Sequence, residues 1–309
     1  MSAQGLRPTA EARVRVLVAA VPDSPGPLHG GGRAYSLLGV VAPVCVVVPA
    51  YRAERFIRST VASVLAQSFA DFELVVLENG VTDDTAAIVG GLSDPRVRLE
   101  RNETVLPMTE NWNRAVELSR SPLVKVLCAD DMIYPRCLET QVAALRVRQS
   151  AALVACRRDL IDVDGATVSA RGCLRGLLGR HTREEVARVI VRHGGNPIGE
   201  PGSVLFRRAA FDAAGGFSAG QPLLMDLDMW VRLLDHGDLI GQVESLAAFR
   251  LHDTSTTSRV AVEQKAAQAA LIRDVVARNR VPIADRVIGA AASRLGRLWW
   301  NHLQAKAGT

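Results

Sequence analysis

Two adjacent carboxylates, Asp130 and Asp131, stand directly after the apolar run Leu123–Cys128. Ionised carboxylates at the end of a buried strand are costly unless a cation or a hydrogen-bond donor pairs with them. A Mg2+ or Mn2+ ion would meet that need, held through one or two carboxylates and completed by water and by phosphate oxygens of a substrate; it would also neutralise a diphosphate as it leaves. The same pair could simply cap the next turn. Glu78 and Asn79 close a second apolar run, FELVVL, where an acidic group can accept from a base N–H or a ribose hydroxyl. Asn79-Gly80 is equally an ordinary turn dipeptide. Asp226 and Asp228 open the segment MDLDMWVRLL, and a carboxylate there could deprotonate an acceptor hydroxyl or only complement a helix N-terminus. His252, between FRL and DTSTTSR, could ligate a metal, donate to a phosphate, or pack as a plain surface residue.

These residues need a scaffold that brings strand ends together. Val44–Val48 (VCVVV) is a β-branched run ended by Pro49, the pattern of a strand buried on both faces of a parallel sheet. Glu54–Gln67 places Ile57, Val61, Val64 and Leu65 on one helical face. Phe72–Leu77 is a second buried strand, followed by a polar cap and the acidic turn Asp83-Asp84 before another helix. Strand Val97–Glu100, helix Glu110–Ser119, strand Leu123–Cys128 and helix Pro135–Gln149 continue the alternation. Repeated βα units require a parallel sheet covered by helices on both faces, with ligands beyond the carboxyl ends of the strands. After Ala151 the rhythm changes: a hairpin-like DLIDVDGATV, a helix opened by the capping box Thr182-x-x-Glu185, the turn NPIGEPG, a strand Ser203–Phe206, a helix Met225–Asp235, and two late strands near Leu239–Val243 and Ala247–Leu251. This half reads as mixed α/β, continuous with the first. No repeat period is present.

Composition bounds the rest. The 309 residues are 48% hydrophobic and 22% charged, too apolar for a disordered chain. Lys and Arg (37) exceed Asp and Glu (32), with the excess scattered along helices. That suits small anionic substrates and argues against a dedicated nucleic-acid stripe. The five cysteines have no CxxC spacing and read as reduced thiols. No run approaches the roughly 20 apolar residues of a membrane span, and the N-terminus does not read as a secretory signal, so the expected location is the cytoplasm. Residues 1–42 read as a flexible Gly/Pro-rich leader and 259–309 as a helical segment. Its end, RVIGAAASRLGRLWW, suggests peripheral membrane contact as well as simple packing on the domain.

Taken in order, VVVPAYRAERFIRSTVASVLAQSF, FELVVLENGVTDDT, ENWNRAVELS, VKVLCADDMIYPRCLE, IGEPGSVLFRR, GGF, DLDMWVRLL and FRLHDTSTTS closely resemble family 2 glycosyltransferases of the GT-A fold, from Pro43 to His252. The resemblance implies a single domain over 43–258. Residues 43–150 would bind a nucleotide-sugar donor and 151–258 an acceptor, whether carbohydrate, lipid-linked glycan or small natural product. It implies that Pro49, Ala50, Tyr51 and Glu54 line the nucleotide pocket with Glu78 and Asn79, that Asp130 holds the ribose, that Asp131 and His252 serve a divalent metal, Mg2+ or Mn2+, and that Asp226 is the base of an inverting displacement. Departures from the family pattern are Arg52 in place of a common Asn, Glu78-Asn79 in place of an Asp pair, Cys128 in place of a frequent Asp, and Met225 in place of the Glu that often precedes the base. The rival classes are a degenerate sugar-nucleotide-binding protein and a nucleotidyltransferase, though PAYRAERF lacks the glycines of a phosphate loop.

Overall fold

A computed structural model of the chain describes residues 41–80, 83–220, 224–253 and 261–292. The leader up to residue 40, the hydroxyl-rich residues after Asp253, and Trp299 and Trp300 lie outside the described residues.

The first half builds the parallel sheet that the alternation predicts. Strands β1 (Val44–Ala50), β2 (Phe72–Glu78), β3 (Val97–Arg101) and β4 (Leu123–Val126) lie in the order β3-β2-β1-β4, all parallel. All seven residues of β1 are buried, as a central strand requires. The chain reverses its winding between β1 and β4, so the crevice beyond their carboxyl ends is the topological switch point of the sheet. Pro49 sharpens it. Leu127 N donates to Val47 O at 2.9 Å, and the next bond of a parallel ladder would come from the N–H of residue 49, which proline lacks. The two strands part there, while β1 continues beside β2 to Ala50↔Glu78.

Helices α1 (Ile57–Leu65), α2 (Thr85–Gly90) and α3 (Met108–Glu117) link these strands and α4 (Cys137–Val147) follows them; α1 and α4 are shorter than their sequence patterns, and α3 has the expected length but starts two residues earlier. The two faces of the sheet carry separate cores. One sets Ile57, Val61 and Val64 of α1 and Leu138, Val142 and Leu145 of α4 against Val46, Val48 and Leu74. The other sets Ala115 and Val116 of α3 against Val47, Val75 and Val124, and adds helices of the second half.

That second half extends the same sheet to ten strands, continuing β4-β9-β6-β10-β5. Here β5 is Met132–Ile133, β6 Ala151–Ile161, β7 Thr167–Gly172, β8 Gly179–His181, β9 Val204–Arg207 and β10 Asp238–Arg250. Helices α5 (Arg183–His193), α6 (Arg208–Ala213) and α7 (Met225–Leu233) cover it, and α8 (Ala261–Arg278) with α9 (283–292) follow. The expected hairpin is β6 with antiparallel β7. The capping box forms: Thr182 N donates to Glu185 Oε2 at 2.8 Å and Glu185 N to Thr182 Oγ1 at 3.5 Å. The two late strands are one. β10 runs on beside β6, and the gap expected at residues 244–246 is a bulge, with the register shifting between Gln242 and Ser245 and again between Ser245 and Ala247. No helix among the described residues is long and apolar enough to cross a membrane.

Arg52, in the loop after β1, has φ of 51°, the left-handed region that Asn tolerates and a long side chain does not. This gives a physical reason for the Asn usual there. Arg52→Asn is expected to stabilise the protein by about 0.5–1 kcal/mol, net of the exposed stacking of Arg52 on Tyr51 at 5.3 Å. A denaturant midpoint that does not rise would show the loop to be unstrained in solution.

Candidate active site

The loops after β1 and β2 are tied to one another before any ligand arrives. Ala53 N donates to Thr85 Oγ1 at 3.0 Å, Glu54 N to Asp83 Oδ2 at 3.3 Å, and Asp84 N to Glu54 Oε2 at 3.1 Å. Asp83 also holds the first residue of α2, accepting from Thr85 Oγ1 at 2.8 Å and from Thr85 N at 3.2 Å. Pro49, Ala50 and Glu78 are buried at the strand ends, and Tyr51 is exposed at the rim. Asn79 is buried too, and its amide is engaged: Oδ1 accepts from Asn102 Nδ2 at 2.8 Å and Leu106 N at 2.9 Å, while Nδ2 donates to Leu106 O at 2.9 Å. Asn79 thereby holds the loop that follows β3 against the end of β2.

The Asp130-Asp131 turn is gripped from two sides. On one side α1 presents a polar stripe. Thr60 Oγ1 lies 2.9 Å from Ala129 O and 2.8 Å from Asp131 O, Ser63 Oγ accepts from Ile133 N at 3.2 Å, and Gln67 Nε2 donates to Tyr134 O at 2.8 Å. On the other side lies the end of β10, where Arg250 N donates to Asp131 Oδ1 at 2.9 Å and Arg250 Nε to Asp130 O at 2.9 Å. The Arg250 guanidinium stacks 4.8 Å above the Phe56 ring. His252 Nε2 sits 2.8 Å from Asp130 Oδ2, and its ring packs 5.0 Å from Phe56. The His252 ring therefore meets Asp130, while the Asp131 carboxylate is met by the Arg250 backbone.

Asp226 opens α7. Its Oδ1 accepts from Leu227 N at 2.7 Å and its Oδ2 from Asn196 Nδ2 at 3.0 Å. The amide of Asn196 also donates to Gly199 O and accepts from Ile198 N and Gly199 N, each within 3.1 Å, and Trp230 Nε1 donates to Gly199 O at 3.1 Å. The turn carrying Glu200 is thus locked to the helix carrying Asp226. Burial, with the Glu200 charge adding to it, pushes the Asp226 carboxyl up to about 6 against the donors at Leu227 and Asn196. Asp228 is taken by Arg232, whose Nε and Nη2 reach Oδ2 at 2.9 and 2.7 Å. Of these two carboxylates, Asp226, the one that the resemblance marks as the base, is not spent on an ion pair.

Glu200 and Arg158 were not singled out from the sequence. Arg158, on β6, donates from Nε and Nη2 to Glu200 Oε2 and Oε1 at 2.6 and 2.7 Å, a bidentate pair that is largely withdrawn from solvent. Burial opposes ionisation of Glu200, but the Arg158 charge and hydrogen bonds outweigh it and hold the carboxyl below its usual range. A Cβ at Gly172 would overlap the Arg158 guanidinium, so only glycine leaves room for it. Four carboxylates converge electrically here. After burial itself, Asp131, Asp130, Asp226 and Glu200 all act to keep the Cys128 thiol protonated.

The Cys128 Sγ and carboxylate oxygens of Asp130 and Asp131 lie within 4.8 Å of one another. A protonated thiol is a poor ligand for a hard cation, so the donor set is the two carboxylates, which suits Mg2+ or Mn2+ completed by phosphate oxygens and water. Burial and the adjacent Asp130 charge push the Asp131 carboxyl well above its usual range, the strain that a bound cation relieves. The residues present fit such an ion.

A doubly wound sheet with acidic side chains gathered at its carboxyl edge is the architecture of enzymes that bind nucleotides at that edge. Residues 45–215, more than half of the chain, match the model of glycosyl transferase family 2, and the chain belongs to that family. An uncharacterised protein of Mycobacterium tuberculosis is 29% identical over 269 residues, 83% of this chain and 81% of its own length. The putative glycosyltransferase EpsE of Bacillus subtilis is 21% identical over 249 residues, 79% of this chain and 85% of its own. Among solved structures, S. aureus TarS in complex with UDP-GlcNAc matches with a TM-score of 0.60 at 18% identity, over 79% of this chain and 69% of that one. The mannosyltransferase PcManGT from Pyrobaculum calidifontis, in complex with GDP-Man and Mn2+, matches with 0.56 at 16%, over 96% and 79%. The fold is GT-A and the chain is a glycosyltransferase, which sets the nucleotidyltransferase reading aside.

Proposed function

We propose that this glycosyltransferase moves a sugar from a nucleoside-diphosphate sugar to an acceptor hydroxyl in a single displacement that inverts the anomeric carbon. The observation that carries this reading is the gathering of Asp130, Asp131, Glu200 and Asp226 at one end of the sheet, an excess of negative charge even with Arg158 on Glu200 and with His252 and Arg250 beside the Asp pair. Residues 43–150 bind the donor, with Glu78 meeting the base, Glu54 and Tyr51 walling the pocket and Asp130 the ribose; residues 151–258 receive the acceptor. The donor class is supported by the nucleotide sugars bound to TarS and PcManGT. The five free thiols are in keeping with a reducing, cytoplasmic setting.

Asp226 accepts the proton of the acceptor hydroxyl. The acceptor oxygen then bonds to the anomeric carbon as the bond from that carbon to the diphosphate breaks, and the electron pair leaves with the nucleotide. Leu227 N and Asn196 hold the Asp226 carboxylate in one orientation for this transfer. Asp130 and Asp131 would hold Mg2+ or Mn2+, which supplies charge neutralisation for the leaving diphosphate. Arg250 and Thr60 keep the carboxylate pair at the mouth of the crevice, and His252 orients Asp130.

The test is nucleotide release from a panel of UDP-, GDP- and dTDP-sugars with Mn2+ or Mg2+, the wild type beside Asp131→Ala. Metal-dependent release from one donor, reduced about 10²–10³-fold or more in the variant, is the expected result. Donor binding without turnover across every acceptor class would instead make the chain a sugar-nucleotide-binding protein.

A further inference from the structure

We propose that the outer face of α9, residues 283–292, docks on an anionic lipid surface. Two contacts fix how this helix is turned. Asp285 is buried and its carboxylate is met by Arg188 Nε at 2.9 Å and Arg192 Nε at 3.3 Å, both on α5. One turn on, Gly289 lies against Val191 O so closely that a Cβ would overlap it. With the 285/289 face pinned inward, Ile283, Val287 and Ile288 are left 74%, 65% and 45% exposed, beside exposed Ala284, Ala290 and Ala291. A helix at a water-exposed surface turns its polar residues outward. This one does the reverse: its acid faces the protein and its branched aliphatics face away.

The charge around that face is predominantly positive. Arg286 is the one charged side chain on the outer face of α9, and Arg273 and Arg280 are exposed on α8 and on the link between the helices. Exposed Arg278 is partnered by Asp274 at 2.9 Å. Beyond Asp285 the sequence holds Arg286, Arg294, Arg297 and Lys306 and no Asp or Glu. A groove of about 560 Å3 between α8 and α9, lined by Val191, Ile272 and Val276 and by Arg273 and Arg286, continues the apolar strip inward. A second copy of the chain packed on this face about a two-fold axis would set these arginines against their own mates, which costs energy. Anionic headgroups over an acyl layer complement both features: the arginines meet phosphate and the aliphatics enter the headgroup–acyl boundary. The sequence had pointed to residues 286–300; the structure narrows this to the apolar outer face of α9, and the face stands whether or not the catalytic reading holds.

Co-sedimentation of the full-length protein with phosphatidylcholine vesicles, with and without phosphatidylglycerol, tests this beside the triple variant Ile283→Ser, Val287→Ser, Ile288→Ser. Since the three side chains point outward, the thermal melt of the variant is expected to match the wild type. Should it not, Arg280→Glu with Arg286→Glu serves as the second variant. Wild type is expected to bind the anionic vesicles only, less at high salt, and either variant to partition about tenfold or more less strongly. Failure of wild type to bind, equal binding to neutral vesicles, or unchanged binding of both variants would overturn the proposal. So would a wild-type dimer in light scattering that the triple variant loses, since a second copy would then cover the face.

Discussion

Asp226→Asn is expected to lower kcat by about 10²–10⁴-fold while the donor still binds, because the substitution removes the proton acceptor and little of the nucleotide pocket. Two opposing effects keep the variant folded. Loss of a buried charge whose carboxyl is raised to about 6 favours the folded state at neutral pH. Against that, the new amide N–H would face Asn196 Nδ2, which cannot flip because its Oδ1 accepts from Ile198 N and Gly199 N. One lost hydrogen bond costs about 1 kcal/mol, so the melting temperature should move by only a few degrees. The pH dependence carries the sign. Asp226 acts as a base when deprotonated, so wild-type kcat/KM should fall as the pH drops through about 6. That acid limb should be missing from the residual activity of the variant. An Asn variant with wild-type kcat would remove Asp226 from the chemistry.

The second large effect concerns stability. Arg158→Ala leaves the largely buried Glu200 without its guanidinium; breaking a fully buried pair from one side costs about 3–5 kcal/mol, and with the Glu200 side chain 23% exposed the lower end, about 3 kcal/mol, is expected. For a domain of this size that is roughly a 10 °C fall in melting temperature. Glu200 is a carboxyl held below its ordinary value, so its contribution is present above about pH 4.5 and fades as the pH falls below that. Wild type should accordingly lose stability in that acid range, and the Arg158→Ala difference should shrink there. Arg158→Met combined with Glu200→Leu should regain much of the loss, since a packed apolar pair replaces a buried ionic one at little cost. It should also move the acid limb of kcat/KM to lower pH, because the Glu200 charge is one cause of the raised Asp226 carboxyl. An unchanged melt for Arg158→Ala would mean that water reaches the pair.

Some of the site was legible in one dimension and some was not. Asp130 and Asp131 stood out because charge directly after a buried strand is anomalous by itself. The choice between Asp226 and Asp228 had a local signal that the reading did not use: Arg232 lies four residues after Asp228, and that spacing pairs side chains on one helical face. Thr60, Ser63 and Gln67 recur at helical spacing among buried apolar positions, yet what they bind, the backbone from Ala129 to Tyr134, lies some seventy residues on. Glu200 read as part of a Gly/Pro turn. Nothing near it hints at Arg158, forty-two residues earlier, because the pair exists only once β6 is in place. The gap expected at 244–246 is not a break, because a bulge absorbs those residues without ending β10.

The sequence by itself determined the class of sheet and where ligands must sit. Hydrophobic period and β-branching are properties of neighbouring residues, and parallel strands joined by helices leave one carboxyl edge open. Only the tertiary structure decided which carboxylates meet there and in what state. Arg250 and His252 grip the Asp pair, Arg158 holds Glu200 ionised, and Asn196 aims Asp226, each across tens of residues of chain. Such contacts depend on strand register and on how a helix is rotated against the sheet. The energy of a buried charge depends on those few ångströms and not on its neighbours in sequence.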